Sequence, residues 1–312
     1  MSYQPNIIFI VGPTAIGKSD VAFFLAQRIN GEIISCDSMQ VYQEIHIASN
    51  KPSPQMRRKI PHHLIDVVSI YHRFDVVQFN DLANQAIQEI LKKKKVPIIA
   101  GGSGLYVEIL LDGIFSQGDS DGKLRQQIAR EIDEKGLETV YEELKQKDPA
   151  AAQKIHLNDR RRIVRALEIC RTMGQPASVV NKDRRGLWGN YDIQIFGLNG
   201  DRQRLYERIE KRVDDMFKFG LVEEIKGLQH EMISLTAQGL IGVKEVLGYL
   251  NGEYDLEQAR DLLKKNTRHL AKKQLTWFRA EKRIRWIDID PEDSSAKAAD
   301  EIMNVLELSE NF

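Results

Sequence analysis

Residues Gly12–Ser19 read GPTAIGKS and directly follow the apolar run Ile7–Val11, IIFIV. A helical pattern over residues 20–29 begins where this stretch ends. A short β-branched strand, a glycine turn and then a helix is the context in which G-x-x-x-x-G-K-[ST] forms a phosphate loop. Backbone N–H groups and the N-terminus of the helix then face a phosphate group. The stretch therefore predicts an α/β fold with a P-loop-type parallel sheet flanked by helices.

The phosphate loop predicts a ligand with at least a diphosphate group. Lys18 would reach across the phosphate oxygens as a mobile cation, and the Ser19 hydroxyl is placed to ligate Mg²⁺, the expected cofactor. All eight residues are candidate ligand-binding positions: Gly12, Pro13, Thr14, Ala15, Ile16, Gly17, Lys18 and Ser19.

The composition excludes several classes of protein. Lys and Arg equal Asp and Glu at 45 each over 312 residues, so any nucleic-acid binding has to come from local clusters of charge. The two cysteines lie far apart in the sequence, which is typical of a reducing compartment. No apolar stretch approaches the roughly 20 residues that span a bilayer, and the first strand begins too early for a signal peptide. We expect a cytoplasmic monomer with no membrane association.

A second strand is predicted over residues 32–35 (EIIS), and Asp37 follows its carboxyl end. Ligands of open α/β sheets bind beyond the carboxyl ends of the strands, so Asp37 is expected to face the phosphate loop. This makes Asp37 the leading candidate for a catalytic group. The alternative is a structural role for its carboxylate in an Asx turn or a helix N-cap.

A third strand is predicted over Val96–Ala100, and a second glycine-rich turn, GGSGLY, follows at residues 101–106. This turn is expected to bring the Ser103 hydroxyl to the same edge of the sheet. A nucleotide hydrolase would carry a Walker-B aspartate at the end of such a strand, whereas this sequence has glycine there.

The composition changes to that of a linker over residues 116–122 (SQGDSDG), and helical patterns follow without a strand pattern until residue 191. We therefore predict an all-helical insertion domain over residues 116–189, between the two parts of a catalytic core, 1–115 and 190–312. Basic residues crowd the beginning of one helix of the insertion, at Arg160–Arg162 and Arg165. That position is unfavourable for a cation, so these side chains are either reserved for a partner or form an exposed arginine face.

Two basic helical stretches follow the insertion. Arg204, Arg208 and Arg212 recur at helical spacing and would clamp anionic oxygens. The stretch 256–281 interleaves lysines and arginines with Trp277 and Phe278, a pattern compatible with RNA binding and also with an ordinary amphipathic helix.

Nine segments in order make the sequence resemble the tRNA dimethylallyltransferases, which prenylate the adenosine beside the anticodon. These segments are GPTAIGKS, ISCDSMQVY, KPS, PHHLID, AGGSGLY, NDRRRIVRALE, LYERIEKRVDDM, GLVEEIKGL and TRHLAKKQLTWFR. The resemblance implies that the loop holds dimethylallyl diphosphate and that the exocyclic amine of the adenosine attacks its allylic carbon. The implied macromolecular partner is the tRNA anticodon stem-loop.

The resemblance also implies a role for individual residues. Asp37 would be the general base, Ser103 a second catalytic position and Arg212 the support for the diphosphate. The implied tRNA contacts are Asp37, Ser38, Met39, Gln40, Ser103, Arg125, Arg161, Arg162, Ile163, Val164, Arg165, Gly239, Leu240, Ile241, Gly242, Val243 and Lys244. The sequence departs from the family pattern at residues 48–50 and at Val243.

Two other functions fit the residues. A small-molecule kinase of the P-loop class would use Asp37 to deprotonate an acceptor hydroxyl and the insertion as a lid. A nucleotide-gated RNA-binding module without catalysis would not require Asp37 beside the loop.

Overall fold

The computed structural model describes residues 7–114, 122–181, 184–228, 233–289 and 295–308. Its sheet contains six strands in the described residues, in the order β3-β2-β4-β1-β5-β6, and all of the pairings are parallel. The strands are β1 (Ile7–Val11), β2 (Gly31–Cys36), β3 (His62–His63), β4 (Val96–Gly101), β5 (Ile193–Asn199) and β6 (Arg285–Asp288). The predicted parallel α/β sheet is confirmed.

The longest helix in the described residues has 25 residues. The helices are α1 (Lys18–Arg28), α2 (Pro54–Lys59), α3 (Val76–Lys92), α4 (Gly104–Asp112), α5 (Lys123–Lys135), α6 (Leu137–Lys147), α7 (Pro149–Lys154), α8 (Arg160–Met173), α9 (Ala177–Val180), α10 (Arg202–Lys218), α11 (Leu221–Lys226), α12 (Leu235–Gln238), α13 (Val243–Leu250), α14 (Leu256–Ala280) and α15 (Ser295–Leu308). None of these described helices is long and apolar enough to cross a membrane.

The central strand β1 is completely buried, because every residue of Ile7–Val11 has no exposed surface. This is the burial expected of a parallel strand that is covered by helices on both faces. Helices α1 and α15 pack on one side, where Leu25, Ala26 and Ile302 belong to the same core cluster as Ile8. The sheet thus holds the turn that follows β1 on a rigid support.

The chain divides into two compact units. The first contains residues 1–110 and 188–312 and carries the sheet, and the second contains Leu111–Leu187. All of the described secondary structure within the second unit is helical, and its own core is built around Ile128, Leu144, Ile163 and Leu167. The predicted linker at residues 116–122 lies outside the described residues except for Gly122.

A buried carboxylate anchors one edge of the sheet. The Glu32 side chain on β2 is 2% exposed and is paired with His63 at 2.8 Å, Lys95 at 2.8 Å and Lys93 at 3.2 Å. Burial alone would raise the pKa of this carboxyl, but the hydrogen bonds from the three partners outweigh burial and lower the pKa to about 2. His63 is thus occupied by a structural contact, while Nδ1 of the neighbouring His62 lies 2.7 Å from the Ile60 carbonyl.

We predict that Glu32→Gln lowers the free energy of unfolding by about 1–3 kcal/mol at pH 7, because charged hydrogen bonds at a buried site are removed. The folded-state pKa of Glu32 lies below its ordinary value of 4.5, so its contribution is present above pH 4.5 and declines as the pH falls toward 2. Urea unfolding at pH 7, 4 and 3 should therefore show a difference between wild type and variant that shrinks with acidification. A constant difference would contradict this assignment.

Candidate active site

The phosphate loop lies between β1 and α1, as the sequence predicts. Its first glycine, Gly12, has φ +147°, and a Cβ atom there would lie 2.7 Å from the Leu198 carbonyl oxygen on β5. Its second, Gly17, has φ +107° and is the N-cap of α1. The turn can therefore pass close to the neighbouring strand only with glycine at position 12, which fixes where the loop leaves the sheet.

Lys18 is the cation of this loop. Its ammonium group donates a 2.7 Å hydrogen bond to the Pro13 carbonyl. Burial lowers the pKa of Lys18 to about 8, the nearby carboxylate of Asp37 acts in the opposite direction, and Arg212 adds to the lowering. The lysine is thus desolvated among charged neighbours, where its charge interacts strongly with an anion.

Arg212 and Gln274 both reach the loop at Thr14. The Arg212 guanidinium on α10 donates to the Thr14 hydroxyl at 2.8 Å, and the Gln274 side chain on α14 accepts the Thr14 N–H at 2.7 Å. Burial lowers the pKa of Arg212, while Asp37 acts in the opposite direction. The predicted position of Arg212 beside the loop therefore agrees with the structure, whereas Gln274 was not identified from the sequence.

Of the three arginines at helical spacing, only Arg212 hydrogen bonds to the loop among the described residues. Arg208 is exposed, although its guanidinium lies 3.7 Å from where a Cβ of Gly17 would be. Arg204 is also exposed. The helix thus presents one half-buried arginine to Thr14 and a second at the edge of the loop.

Asp37 directly follows β2 and is half-buried. Its Oδ1 accepts the Met39 N–H at 2.8 Å, an Asx-type turn that orients the carboxylate. No described residue hydrogen bonds to its second oxygen. The structural and catalytic interpretations of Asp37 are therefore compatible, since one oxygen holds the side chain in place and the other is available to a ligand.

The second glycine turn lies beside Asp37 because β2 and β4 are neighbours. Gly101 is aligned with Cys36, and a Cβ at Gly101 would lie 2.0 Å from the Cys36 carbonyl oxygen. No carboxylate can therefore replace it, which explains why this sequence lacks a Walker-B aspartate. The Ser103 N–H donates to the same carbonyl at 3.3 Å, and its side chain is half-buried.

Two cysteines, Cys36 and Cys170, are buried and free. Cys36 precedes Asp37, and burial together with the neighbouring carboxylate raises the pKa of its thiol. Among the described residues, no group of three His, Cys, Asp or Glu side chains is arranged to hold a metal ion. A cation at this site would have to take its ligands mainly from the loop hydroxyl and from the substrate.

Gln40 is the buried residue of segment 37–40. Ser38 and Met39 are half-buried, but Gln40 is buried, its amide oxygen accepts the Ser35 hydroxyl at 2.8 Å and its NH₂ group donates to the Asn50 carbonyl at 3.4 Å. Both ends of its amide are therefore occupied within the protein, and the implied contact of Gln40 with tRNA stays a prediction.

The loop over residues 45–50, where the sequence departs from the family pattern, is held by Glu224 of α11. This carboxylate accepts the backbone N–H groups of His46, Ile47 and Ala48 at 2.6, 2.8 and 2.9 Å. All three bonds are made through the backbone, so the side chain at position 48 does not have to be the family residue. The contact was missed because backbone donors leave no pattern in the sequence.

The segment Gly239–Lys244 contains the connection from α12 to α13 and the first two residues of α13. Lys244 and Gly239 are exposed, and Leu240 and Ile241 are half-buried, but Val243 has no exposed surface. The implied contact of Val243 with RNA stays a prediction. The Gly242 N–H donates to the buried carboxylate of Glu245 at 2.7 Å, which fixes the start of α13.

In the helical unit, acidic residues pair with most of the predicted arginines. Glu168 is buried and binds Arg125 through three hydrogen bonds of 3.0–3.2 Å and Arg165 at 3.0 Å. Arg162 pairs with Asp159 at 3.2 Å, while Arg161 is exposed and pairs with no described residue.

The unfavourable position of these arginines on α8 is partly compensated by its N-cap. Asp159 accepts the Arg162 N–H at 3.1 Å, which places a carboxylate at the positive end of the helix. Ile163 and Val164, by contrast, belong to the core of this unit, and their implied contacts with tRNA stay predictions.

Some basic side chains of helix α14 are also paired with acidic residues of the protein. Lys264 pairs with Asp214 at 2.7 Å, and Arg268 pairs with Glu210 at 2.5 Å. Phe278 has no exposed surface and cannot stack on a base, so that part of the interpretation is wrong. The exposed cations of the helix are Lys265, Lys272, Lys273 and Arg279.

Comparison with known proteins identifies close relatives. The family model described as IPP transferase matches residues 40–281. A tRNA dimethylallyltransferase of Alkaliphilus oremlandii is 42% identical over 304 residues, which cover 96% of each chain. One of Finegoldia magna is 44% identical over 289 residues, 92% of each chain.

Solved structures agree with this result. The crystal structure of the full-length tRNA isopentenylpyrophosphate transferase of Bacillus halodurans has a TM-score of 0.71 and 36% identity, covering 99% of each chain. A eukaryotic dimethylallyltransferase acting on tRNA has a TM-score of 0.81 and 30% identity, covering 96% of this chain and 80% of that one.

The low pKa of Lys18 predicts a pH dependence of anion binding. In the ligand-free protein, Lys18 loses its proton as the pH rises through about 8, so the affinity for inorganic diphosphate should fall by up to about tenfold per pH unit above that value. Isothermal titration calorimetry between pH 7 and 9.5 measures this slope.

Lys18→Arg is the matched control, because a guanidinium keeps its charge over the whole range. Titration of the diphosphate itself affects both proteins equally and is removed by the comparison. Equal slopes in wild type and Lys18→Arg would show that Lys18 does not titrate in this range.

Proposed function

Because this chain belongs to the IPP transferase family, we propose that it transfers a dimethylallyl group from dimethylallyl diphosphate to the exocyclic amine of the adenosine 3′-adjacent to the anticodon in tRNA. The observation that carries the proposal is the convergence of the phosphate loop, Arg212 and Asp37 at the carboxyl ends of neighbouring strands. A diphosphate site beside a carboxylate with an open oxygen supports alkyl transfer coupled to loss of a proton.

The phosphate loop would bind the diphosphate of the donor. Backbone N–H groups of the loop, other than that of Thr14, which is bonded to Gln274, would face the anion together with the N-terminus of α1. Lys18 would exchange the Pro13 carbonyl for diphosphate oxygens. Arg212, held on Thr14, would add a second cation. These groups would stabilise the transition state most strongly, because negative charge accumulates there on the departing diphosphate.

Mg²⁺ fits this site. The Ser19 hydroxyl lies in the first turn of α1, and hydroxyl and phosphate oxygens are the hard ligands that this ion prefers. With glycine at position 101 in place of an acid, the substrate would supply most of the remaining ligands. The ion would neutralise charge on the diphosphate and make it a better leaving group.

Asp37 would act as the general base. The lone pair of the adenosine amine forms a bond to the allylic carbon of the donor as the bond from that carbon to the diphosphate oxygen breaks, and the diphosphate leaves with the electron pair. The nitrogen becomes positively charged when this bond forms, and one of its protons passes to the open oxygen of Asp37. Oδ1 stays bonded to Met39 and keeps the carboxylate oriented. Ser103, whose backbone is anchored on Cys36, would contact the extruded base.

The two units would each contribute to tRNA binding. In the helical unit, the exposed side chains of Arg161 and Arg162 would contact RNA, and Arg125 and Arg165, which are paired with Glu168, would add to this contact. In the other unit, Lys244 and the exposed lysines of α14 offer further contacts with phosphates. Single-stranded loops are the easiest place to extrude a base, which suits an anticodon loop. Two buried free thiols support action in the reducing cytoplasm.

Substituting Asp37 tests the chemistry. Asp37→Ala and Asp37→Asn should each lower the single-turnover rate of prenyl transfer by about 10²- to 10⁴-fold, because neither side chain can accept the amine proton. Quenched-flow assays with radiolabelled dimethylallyl diphosphate and unmodified tRNA measure the rate. A parallel assay with labelled ATP tests phosphoryl transfer, the reaction of a kinase.

Asp37→Asn is the more informative variant because its amide oxygen can still accept the Met39 N–H and preserve the turn. It should retain the melting temperature and the affinity for dimethylallyl diphosphate. Transfer at the wild-type rate by Asp37→Asn would refute the role of Asp37 as a base.

The arginines of α8 allow a separate test of RNA binding. Replacing Arg161 and Arg162 by Ala should weaken tRNA binding and reduce the slope of log K against log salt by about 0.7 to 0.9 for each phosphate that is no longer neutralised. Filter binding between 50 and 300 mM salt measures the slope. Lys147→Ala, which removes an exposed charge elsewhere in the same unit, is the control. An unchanged slope in the double variant would show that the arginines face solvent.

A further inference from the structure

One amide side chain bridges the two glycine turns of the site. Gln274 projects from α14 and lies 260 positions from Thr14 in the sequence. Its Oε1 accepts the Thr14 N–H at 2.7 Å, and its Nε2 donates to the Gly102 carbonyl at 3.0 Å. Thr14 follows β1 and Gly102 follows β4, and these strands are neighbours in the sheet. Both polar groups of the amide are therefore hydrogen bonded, and they join two turns that are far apart in the sequence.

The surroundings leave little freedom for this side chain. A Cβ on Gly102 would lie 2.4 Å from Nε2 of Gln274, so the absence of a side chain at position 102 makes room for the amide. One helical turn further along α14, the Trp277 ring lies against Gly104, 2.4 Å from where a Cβ would be. Two side chains of α14 that are one helical turn apart, Gln274 and Trp277, therefore contact the second glycine turn.

Thr14 is held from two sides. Gln274 fixes its backbone N–H, and Arg212 donates to its hydroxyl at 2.8 Å. The two bonds come from different helices, α14 and α10, and meet on the third residue of the phosphate loop. A shift of Thr14 therefore moves both the amides of the loop and the guanidinium of Arg212 relative to a bound anion.

We propose that Gln274 is a positioning residue for the diphosphate, acting through Thr14 and Gly102 and without touching the substrate. The proposal rests on the proposed function for the identity of the donor, but not for the binding of diphosphate. It assigns α14 a role in the geometry of the reacting centre in addition to the positive charge that the helix carries.

Gln274→Met tests the proposal, because methionine has nearly the same length and shape but makes neither hydrogen bond. The affinity for inorganic diphosphate, measured by calorimetry without tRNA, should fall about three- to tenfold. The value of kcat for prenyl transfer should fall about 10- to 100-fold, because small displacements of reacting groups are costly. The Kd for tRNA should stay within twofold. Thr276→Ala, on the same helix and hydrogen bonded only to it at Lys272, is the control and should match wild type.

A double-mutant cycle separates positioning from a merely structural role. Thr14→Val removes the hydroxyl that Arg212 binds. If Gln274 acts through Thr14, the losses of diphosphate affinity in Gln274→Met and Thr14→Val should be less than multiplicative in the double variant, by at least threefold. If Gln274 only fixes α14 to the sheet, the losses multiply.

Several outcomes would overturn the proposal. These are wild-type diphosphate affinity and kcat in Gln274→Met, multiplicative losses in the cycle, a parallel loss of tRNA affinity, or tighter diphosphate binding. The last would show that Gln274 competes with the ligand for the Thr14 N–H. If Gln274→Met does not fold, Gln274→Asn replaces it, since its shorter amide cannot span both partners and the same outcomes apply. Absence of prenyl transfer by the wild-type protein would refute the proposed function while leaving the diphosphate measurements valid.

Discussion

The site depends on how closely two parallel strands approach each other at their carboxyl ends. Gly101 lies so near the Cys36 carbonyl that no side chain fits between β4 and β2. This close approach brings the turn after β4 beside Asp37 and excludes a carboxylate from the place where nucleotide hydrolases keep one. The strand order then sets the phosphate loop after β1 next to the same turn. A sheet that is bonded through backbone groups thus fixes the positions of an anion site and a base without any long loop.

Much of this arrangement could be predicted from local sequence. The phosphate loop, the strands around it and the position of Asp37 follow from short patterns, since a strand, a glycine turn and a helix occupy consecutive residues. The helical character of residues 123–173 likewise follows from periodicity and capping residues. The place of Arg212 came from the family resemblance, because helical spacing alone did not distinguish it from Arg204 and Arg208.

The contacts that could not be predicted join distant parts of the chain or involve the backbone. Gln274 reaches Thr14 across 260 positions, and Glu224 binds three backbone N–H groups whose side chains do not matter. Burial explains the error at Phe278, because a motif gives the order of residues and not the face on which each lies. The positive charge available to RNA was also overestimated from the sequence, because Glu168 already neutralises part of the arginine cluster.

Cys36 has a consequence for the selectivity of the proposed reaction. An allylic carbon that is losing diphosphate is a soft electrophile, and a thiolate beside it would capture the prenyl group far faster than an adenine amine would. Cys36 directly precedes the proposed base, yet it is completely buried and its pKa is raised, so its sulfur stays a protonated, weakly nucleophilic thiol. The same burial that packs this strand end therefore protects the enzyme from alkylating itself.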